Sequence, residues 1–373
     1  MRSGSARLKK VLATPGSFER SLVADVVRGT ERLVEGLPIS AWTLKSDIAA
    51  KIKGGGEVDV VWSDDFATSI TPHELTDALA PYGSELHLYA VTSVGDFSER
   101  TELGKYRIDG IPSASDAQML FRDKVITTAS SVHLRLLDRF TSVDRANFRS
   151  LEQPPSLTSA WAELARVTRL QVTRNVPDQA IPATLVYPRS RIDTAQLLAR
   201  VLYGRAYMRP DGTVGLLPDV PGSVVTRLAI GDDGTVGDVA YSMESEGVYN
   251  VVYGDFEAED GTPIHVEAAI TEGPLAVSGP YGEYVTEYKG SNKDLIKTQA
   301  TAQAAVNAEL TSVSTNESYE LPVQCGYNPL LEIGDVVEVE RMDRLITGRI
   351  LSTTLGKAGP MSLRLNVLHD VAL

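Results

Sequence analysis

A single cysteine, Cys325, serves all 373 residues, so no internal disulfide can hold the fold and packing has to do it. Long apolar runs are missing as well: no stretch reaches the 18 or more residues of a membrane helix. The basic start MRSGSARLKK leads into VLATPGSF, too short and too soon broken to act as the apolar part of a secretory signal. The expectation is a soluble chain made in a reducing cytoplasm. Its length predicts two or three domains with real cores.

Catalytic signatures are equally scarce. The five histidines, His73, His87, His133, His265 and His369, lie far apart, with neither HExxH nor paired metal-ligand spacing; His73 followed by Glu74 is a weak signal. GxSxG and GxGxxG are absent. The triplet Gly54, Gly55, Gly56 lacks the GK[ST] of a phosphate cradle and reads as a loop between strands. Cys325 lies in an apolar strand and reads as a small core residue. No catalytic, cofactor-binding or metal-binding residue is assigned, and no cofactor is expected.

What is present is charge, unevenly spread. The chain carries a formal −13, and from Gly231 to Gly290 thirteen acids face the single Lys289. From Trp161 to Pro210 eight arginines (Arg166, Arg169, Arg174, Arg189, Arg191, Arg200, Arg205, Arg209) face Glu163, Asp178 and Asp193. Such asymmetry suggests a basic and an acidic face meeting in an oligomer, or two solvated surfaces. Asp255, Glu257, Glu259, Asp260 and Gly261 look only faintly like a calcium loop, because the twelfth position from Asp255 is Val266 where a bidentate Glu is required. A charged hairpin tip accounts for them. Asp64 and Asp65 follow the strand VDVVW and fit either one side of a glycosidase pair or a solvated strand end. Glu338 and Glu340 alternate with Val337 and Val339, the wet and buried faces of one strand.

Pattern divides the chain into three. Residues 1–150 read as a first β-barrel domain with an N-terminal arm, from SLVADVV, LPISAWTL, EVDVVWS, ELHLYAVTSV, KYRIDGI and SSVHLRLLDRF. Residues 151–235 read as a small α+β domain. Pro154 and Pro155 precede a helix with Trp161, Leu164, Ala165 and Val167 on one side, and LQVTRNV is strand-like. A second helix opens at Asp193 with Gln196 as a capping box, carries Leu197, Leu198, Val201 and Leu202, and stops at Gly204. AYMRPDGTVGLLP is a hairpin turning on Pro210, Asp211 and Gly212. Residues 236–373 read as a second β-barrel domain with a long Ala-rich helix at about 292–312, capped by Asn292 and burying Leu295, Ala302, Ala305 and Leu310. In YNPLLEIGDVVEVE, Asn328 and Pro329 turn the chain, Leu330, Leu331 and Ile333 plug a barrel end, and Gly334 and Asp335 turn it again. The expected class is mainly β with α+β, two barrels flanking a small α+β domain.

SAWAELARV, DTAQLLARVLYGRAYMRPDGTVGLLP, YNVVYG, QATAQAAVNAEL and YNPLLEIGDVVEVE, preceded by LKSDIAAKIKGGGEVDV and LGKYRIDGIPSASDAQMLFRD, together resemble the tail-hub or minor tail proteins of long-tailed, siphovirus-type bacteriophages, especially actinobacterial ones. The resemblance implies a structural, non-enzymatic virion protein of the tail tip or baseplate, made in the host cytoplasm. It implies a homotrimer whose barrels form a pseudo-sixfold ring on the tail tube. Implied partners are the distal tail protein, the tail tube, the tape-measure protein and tip fibre or receptor-binding proteins. DNA would pass through the lumen during ejection without specific binding, past the acidic segment, while the arginine-rich domain meets neighbours. Because the chain stops at Leu373 after its last strand, no appended hydrolase or receptor-binding extension is expected. Two other readings stay open: a carbohydrate-active β-rich enzyme of the tail tip, and a nucleic-acid-binding module in which Tyr187, Tyr203 and Tyr207 interleave with the arginines.

Overall fold

The computed structural model describes the chain apart from residues 15, 17, 64–68, 151, 232–233, 240–246, 291–292, 294–295, 316–319, 342–343 and 373. Asp64, Asp65, Asn292 and Leu295 therefore lie outside the described residues. The chain divides into two compact units. The first joins Met1–Asp238 to Val323–Arg364 and His369–Leu373, and the second joins Val239–Pro322 to Leu365–Leu368.

In the first unit, helix α1 (Ala6–Ala13) starts on Ser5, whose hydroxyl accepts from the Leu8 amide. Strands β1 (Glu19–Arg28), β2 (Glu31–Ile39), β3 (Ala41–Asp47), β4 (Gly54–Trp62), β5 (Ser84–Val94), β6 (Phe97–Phe121) and β7 (Lys124–Asp138) follow. They pair antiparallel in the order β3-β4-β7-β6-β5-β1-β2. Alternate residues such as Leu22, Ala24, Val26, Val58, Val60, Leu86, Leu88, Leu134 and Leu136 form one buried core. Each large one contributes about 1.5–3 kcal/mol by leaving water.

The glycine triplet is no loop, contrary to expectation: it opens β4. A Cβ on Gly56 would lie 2.3 Å from the Thr43 carbonyl oxygen, and one on Gly55 2.9 Å from that of Leu136. The glycines allow neighbouring strands an approach that any side chain would block.

Helices α2 (Phe140–Arg145), α3 (Ala160–Thr168) and α4 (Arg191–Val201), with β8 (Gly204–Met208) and β9 (Val214–Pro218), make the α+β part. Trp161, Leu164 and Val167 are fully buried in its core, and Ser159 caps α3 through the Ala162 amide. Helix α4 starts earlier than Asp193, because the Ser190 hydroxyl accepts from the Asp193 amide at 3.3 Å. Gln196 closes no capping box; its side chain bonds both backbone groups of Ala206 at 3.1 Å. LQVTRNV forms no strand beyond an isolated bridge from Val172 to Val214. The β8–β9 hairpin turns as expected, with Gly212 at φ 77°.

The remaining strands are β10 (Val224–Leu228), β11 (Val236–Val239), β12 (Val251–Glu257), β13 (Pro263–Ala269), β14 (Val285–Glu287), β15 (Glu320–Cys325), β16 (Val336–Arg341), β17 (Arg344–Gly356) and β18 (Met361–Ala372). The strands expected to make a single second barrel divide. Strands β12, β13 and β14 form their own sheet in the second unit, whereas β17 pairs with β3, from Ser352↔Asp47 to Gly356↔Thr43, and joins the large sheet of the first. Strand β16 pairs with β17 and, in parallel, with β10. The class is mainly β, as expected. Among the described residues the large sheet is an open path ending at β2, and no closed barrel forms.

In the second unit, helix α5 (Gln299–Thr315) buries Ala302 and Val306 against Val252, Phe256, Ile264 and Val266. It begins later than expected, after Thr298, whose hydroxyl accepts from the Thr301 amide at 3.3 Å. Ala305 and Leu310 are half-buried. Asn250 is fully buried; its amide donates to the carbonyls of Leu275 (3.0 Å) and Gly282 (2.6 Å) and accepts from the Tyr284 amide (2.8 Å), which pins the loop from 275 to 284.

Candidate functional site

Hairpin β6–β7 outruns the core that supports it. Its ladder extends from Tyr106↔Asp138 to Phe121↔Lys124. Ile108, Leu134 and Leu136 are buried at the base, but Met119 is 49% and Leu120 69% exposed near the tip. The turn places Arg122 and Asp123 at φ 47° and 62°, the left-handed pair that a two-residue hairpin requires. Below the tip, Asp116 accepts from the hydroxyls of Ser69 (2.8 Å) and Thr71 (2.7 Å), with His73 Nε2 at 3.6 Å. The Thr71 bond leads in holding its carboxyl below the ordinary range. Ser, His and Asp meet here without making a catalytic triad, since the hydroxyl donates straight to the carboxylate and no imidazole stands between them.

A second feature is the corner at Tyr327–Glu340. Leu330, Leu331 and Ile333 are buried as expected, Gly334 has φ 87°, and Asn328 Oδ1 accepts from the Leu330 amide at 3.0 Å. Nothing in the local pattern foretold what seats on it. Arg2 donates to the carbonyls of Pro329 and Leu331, both at 2.9 Å, the Met1 amine bonds Asp335, and Leu8 and Leu12 pack on Leu330. Burial pushes the Asp335 carboxyl up despite that amine.

The acids and other chemical candidates fall apart as a site. Glu340 binds Arg227 at 2.5 Å and accepts from the Ile230 amide at 3.2 Å, and Val337 and Val339 are fully buried. Asp255 pairs with His265 across β12–β13 at 2.6 Å, while Asp260 accepts from the Thr262 amide in a hairpin tip where Gly261 has φ 82°. Asp255, Glu257 and Glu267 share one exposed face, and Phe256, Ile264 and Val266 face the core. Among the described residues no three His, Cys, Asp or Glu side chains gather to hold a metal. Burial pushes the Cys325 thiol up to about 12.

The arginine-rich stretch splits in two. Arg166 bridges Glu163 (2.7 Å) and Glu152 (2.9 Å), Arg174 meets Asp178 (3.6 Å), Arg209 meets Asp211 (3.4 Å), and buried Arg191 lies 4.2 Å over the Phe148 ring. Arg169, Arg189, Arg200 and Arg205 are exposed and have no carboxylate partner among the described residues. Tyr187 is buried and donates to Glu163 at 3.0 Å, Tyr207 is half-buried, and Tyr203 alone of the three is exposed, so no aromatic row accompanies the arginines. Arg200 and Arg205 border a cleft of about 490 Å³ with Ile48, Lys51, Lys53 and Asp219. Sequence reading missed it because its cations come from separate elements.

No family model matches the chain, and no curated protein matches it. Solved structures do. A tail protein from Neisseria meningitidis aligns with a TM-score of 0.59 at 10% identity, over 92% of this chain and 96% of its own. The 43 kDa tail protein of a Shewanella oneidensis prophage gives 0.58 at 11% identity, over 94% and 98%. A chain of the Francisella PdpA–VgrG complex gives 0.52 at 11% identity, over 94% of this chain and 52% of that one, so this chain spans about half its length. At these identities the likeness is one of fold: the chain has the fold of phage tail proteins.

Proposed function

We propose that this chain is a structural, non-enzymatic hub of a phage-type tail tip, a homotrimer forming a pseudo-sixfold ring at the end of the tail tube. The observation that carries the reading is the end-to-end fold likeness to two tail proteins, over more than nine-tenths of this chain and of each of those two. Hairpin β6–β7 supports it. Paired strands that carry Met119 and Leu120 into solvent are suited to close against a neighbouring subunit.

In this role the ring joins the tail tube and distal tail protein to tip fibre or receptor-binding proteins and encloses the end of the tape-measure protein. It is made in the host cytoplasm and acts in the virion. DNA crosses the lumen unbound, repelled by the Asp255, Glu257 and Glu267 face. Electron microscopy of the purified protein tests the proposal: threefold particles with a central hole are expected, and particles with no rotational symmetry at any concentration would contradict it.

A further inference from the structure

The cleft beside α4 holds more cationic charge than its surroundings neutralise. One wall is the β3–β4 turn with Ile48, Lys51 and Lys53, and the other is Gln196 and Arg200 of α4, Gly204 and Arg205 of β8, and Asp219 after β9. Arg349 adjoins it, donating to the carbonyls of Pro218 (2.7 Å) and Asp219 (3.3 Å). Lys51 is matched by Asp144 at 2.7 Å. Asp47, near Lys53, is engaged by Arg364 at 3.0 Å, and Asp138 is occupied by the amides of Gly54 and Phe140, each at 2.8 Å. With Lys51 paired, Lys53, Arg200 and Arg205 face Asp219 as the only carboxylate among the lining residues, while Asp138 and Asp47 act on Lys53 from outside the cleft.

The deepest cation is poorly satisfied. Lys53 is 7% exposed, yet among the described residues its ammonium makes one long hydrogen bond, to the Ala50 carbonyl at 3.3 Å, where three donors are available. Arg349 Nε is buried without a hydrogen-bond partner among the described residues. Burial first, and then the charge of Arg205, lowers the basicity of both Lys53 and Arg349. An anion entering between Lys53 and Arg205 would supply the missing acceptors and relieve that repulsion.

We infer that this cleft binds carboxylate side chains of an acidic polypeptide segment from another chain. A slender Asp or Glu side chain can reach a lysine at the cleft floor. A phosphodiester carries bulky sugars on both sides, which a narrow approach to a 7% exposed lysine disfavours. Arg200 and Arg205 at the rim then hold a second carboxylate of the same segment.

The probe is fluorescein-labelled hexaglutamate, titrated by fluorescence polarisation against the full-length protein at low salt, with labelled hexathymidylate as the nucleic-acid arm. Hexaglutamate is expected to bind, with Arg205→Gln and Lys53→Met each weakening it roughly tenfold, as loss of a charge-assisted bond implies. Arg189→Gln, an exposed arginine outside the cleft, should leave it unchanged. Arg205 is itself exposed, so Arg205→Gln keeps the test valid should Lys53→Met fail to fold. Absence of binding, equal binding by Arg205→Gln, or tighter binding of hexathymidylate that is lost in Arg205→Gln would overturn the proposal.

Discussion

The two ends of hairpin β6–β7 share one backbone ladder and differ in everything that ladder stands on. At the base, Ile108, Leu134 and Leu136 are sealed in the large core; at the tip, Met119 and Leu120 meet solvent. Backbone pairing alone holds isolated hairpins only marginally. The ladder thus continues past its core at the tip, where the proposed ring would supply a covering partner, whereas its base lies in the core of this unit.

The largest effect should come from removing the tip. Replacing residues 117–128 with two glycines is expected to abolish the proposed trimer while leaving the circular dichroism spectrum of a folded subunit. If the shortened protein still assembles, the tip is not the contact.

Single truncations should separate the ends more finely. Leu134→Ala at the base should cost about 2–5 kcal/mol in chemical denaturation, because a cavity remains in a packed core. Leu120→Ala should change subunit stability by less than ~0.5 kcal/mol and yet weaken association. Equal costs at both positions would erase the distinction between fold and interface.

A smaller effect is pH-dependent and belongs to the base. Burial pushes the Asp138 carboxyl up to about 6 against the amides of Phe140 and Gly54 that bond it. The folded state thus holds this proton to higher pH than the unfolded chain, near 4. Its contribution to stability is full below that value and is lost as pH rises through about 6. Glu85 has the opposite sign: burial raises it, but the His87 imidazole 3.7 Å away and the hydrogen bonds and charge of Arg139 prevail and hold it at about 2. Its contribution is present at pH 4.5 and above and is lost toward pH 2, outside the window of interest. From pH 4.5 to 6.5, denaturation midpoints should fall by an amount worth roughly 1–3 kcal/mol, and Asp138→Asn should flatten that slope.

Sequence legibility followed range. Alternation marked β1, β5 and β7, and helical spacing marked Trp161, Leu164 and Val167, because each reports which side of its own element is buried. The burial of Leu330, Leu331 and Ile333 was legible for the same reason, although no closed barrel forms for them to plug among the described residues. Gly54, Gly55 and Gly56 misled because the need for glycine comes from Thr43 and Leu136 on neighbouring strands. The β17–β3 register, the seat of Arg2 on the Leu330 corner and the cleft of Lys53 and Arg205 depend on residues far apart in sequence. Even the start of α4 turned on whether Ser190 or Asp193 faced the free amides, a choice made by the preceding loop.

Light scattering of the purified protein across a concentration series, run beside the variant shortened at 117–128, tests the hub reading most directly. Three subunit masses for the native chain and one for the variant are the predicted result; a native chain that stays at one subunit mass throughout would contradict it.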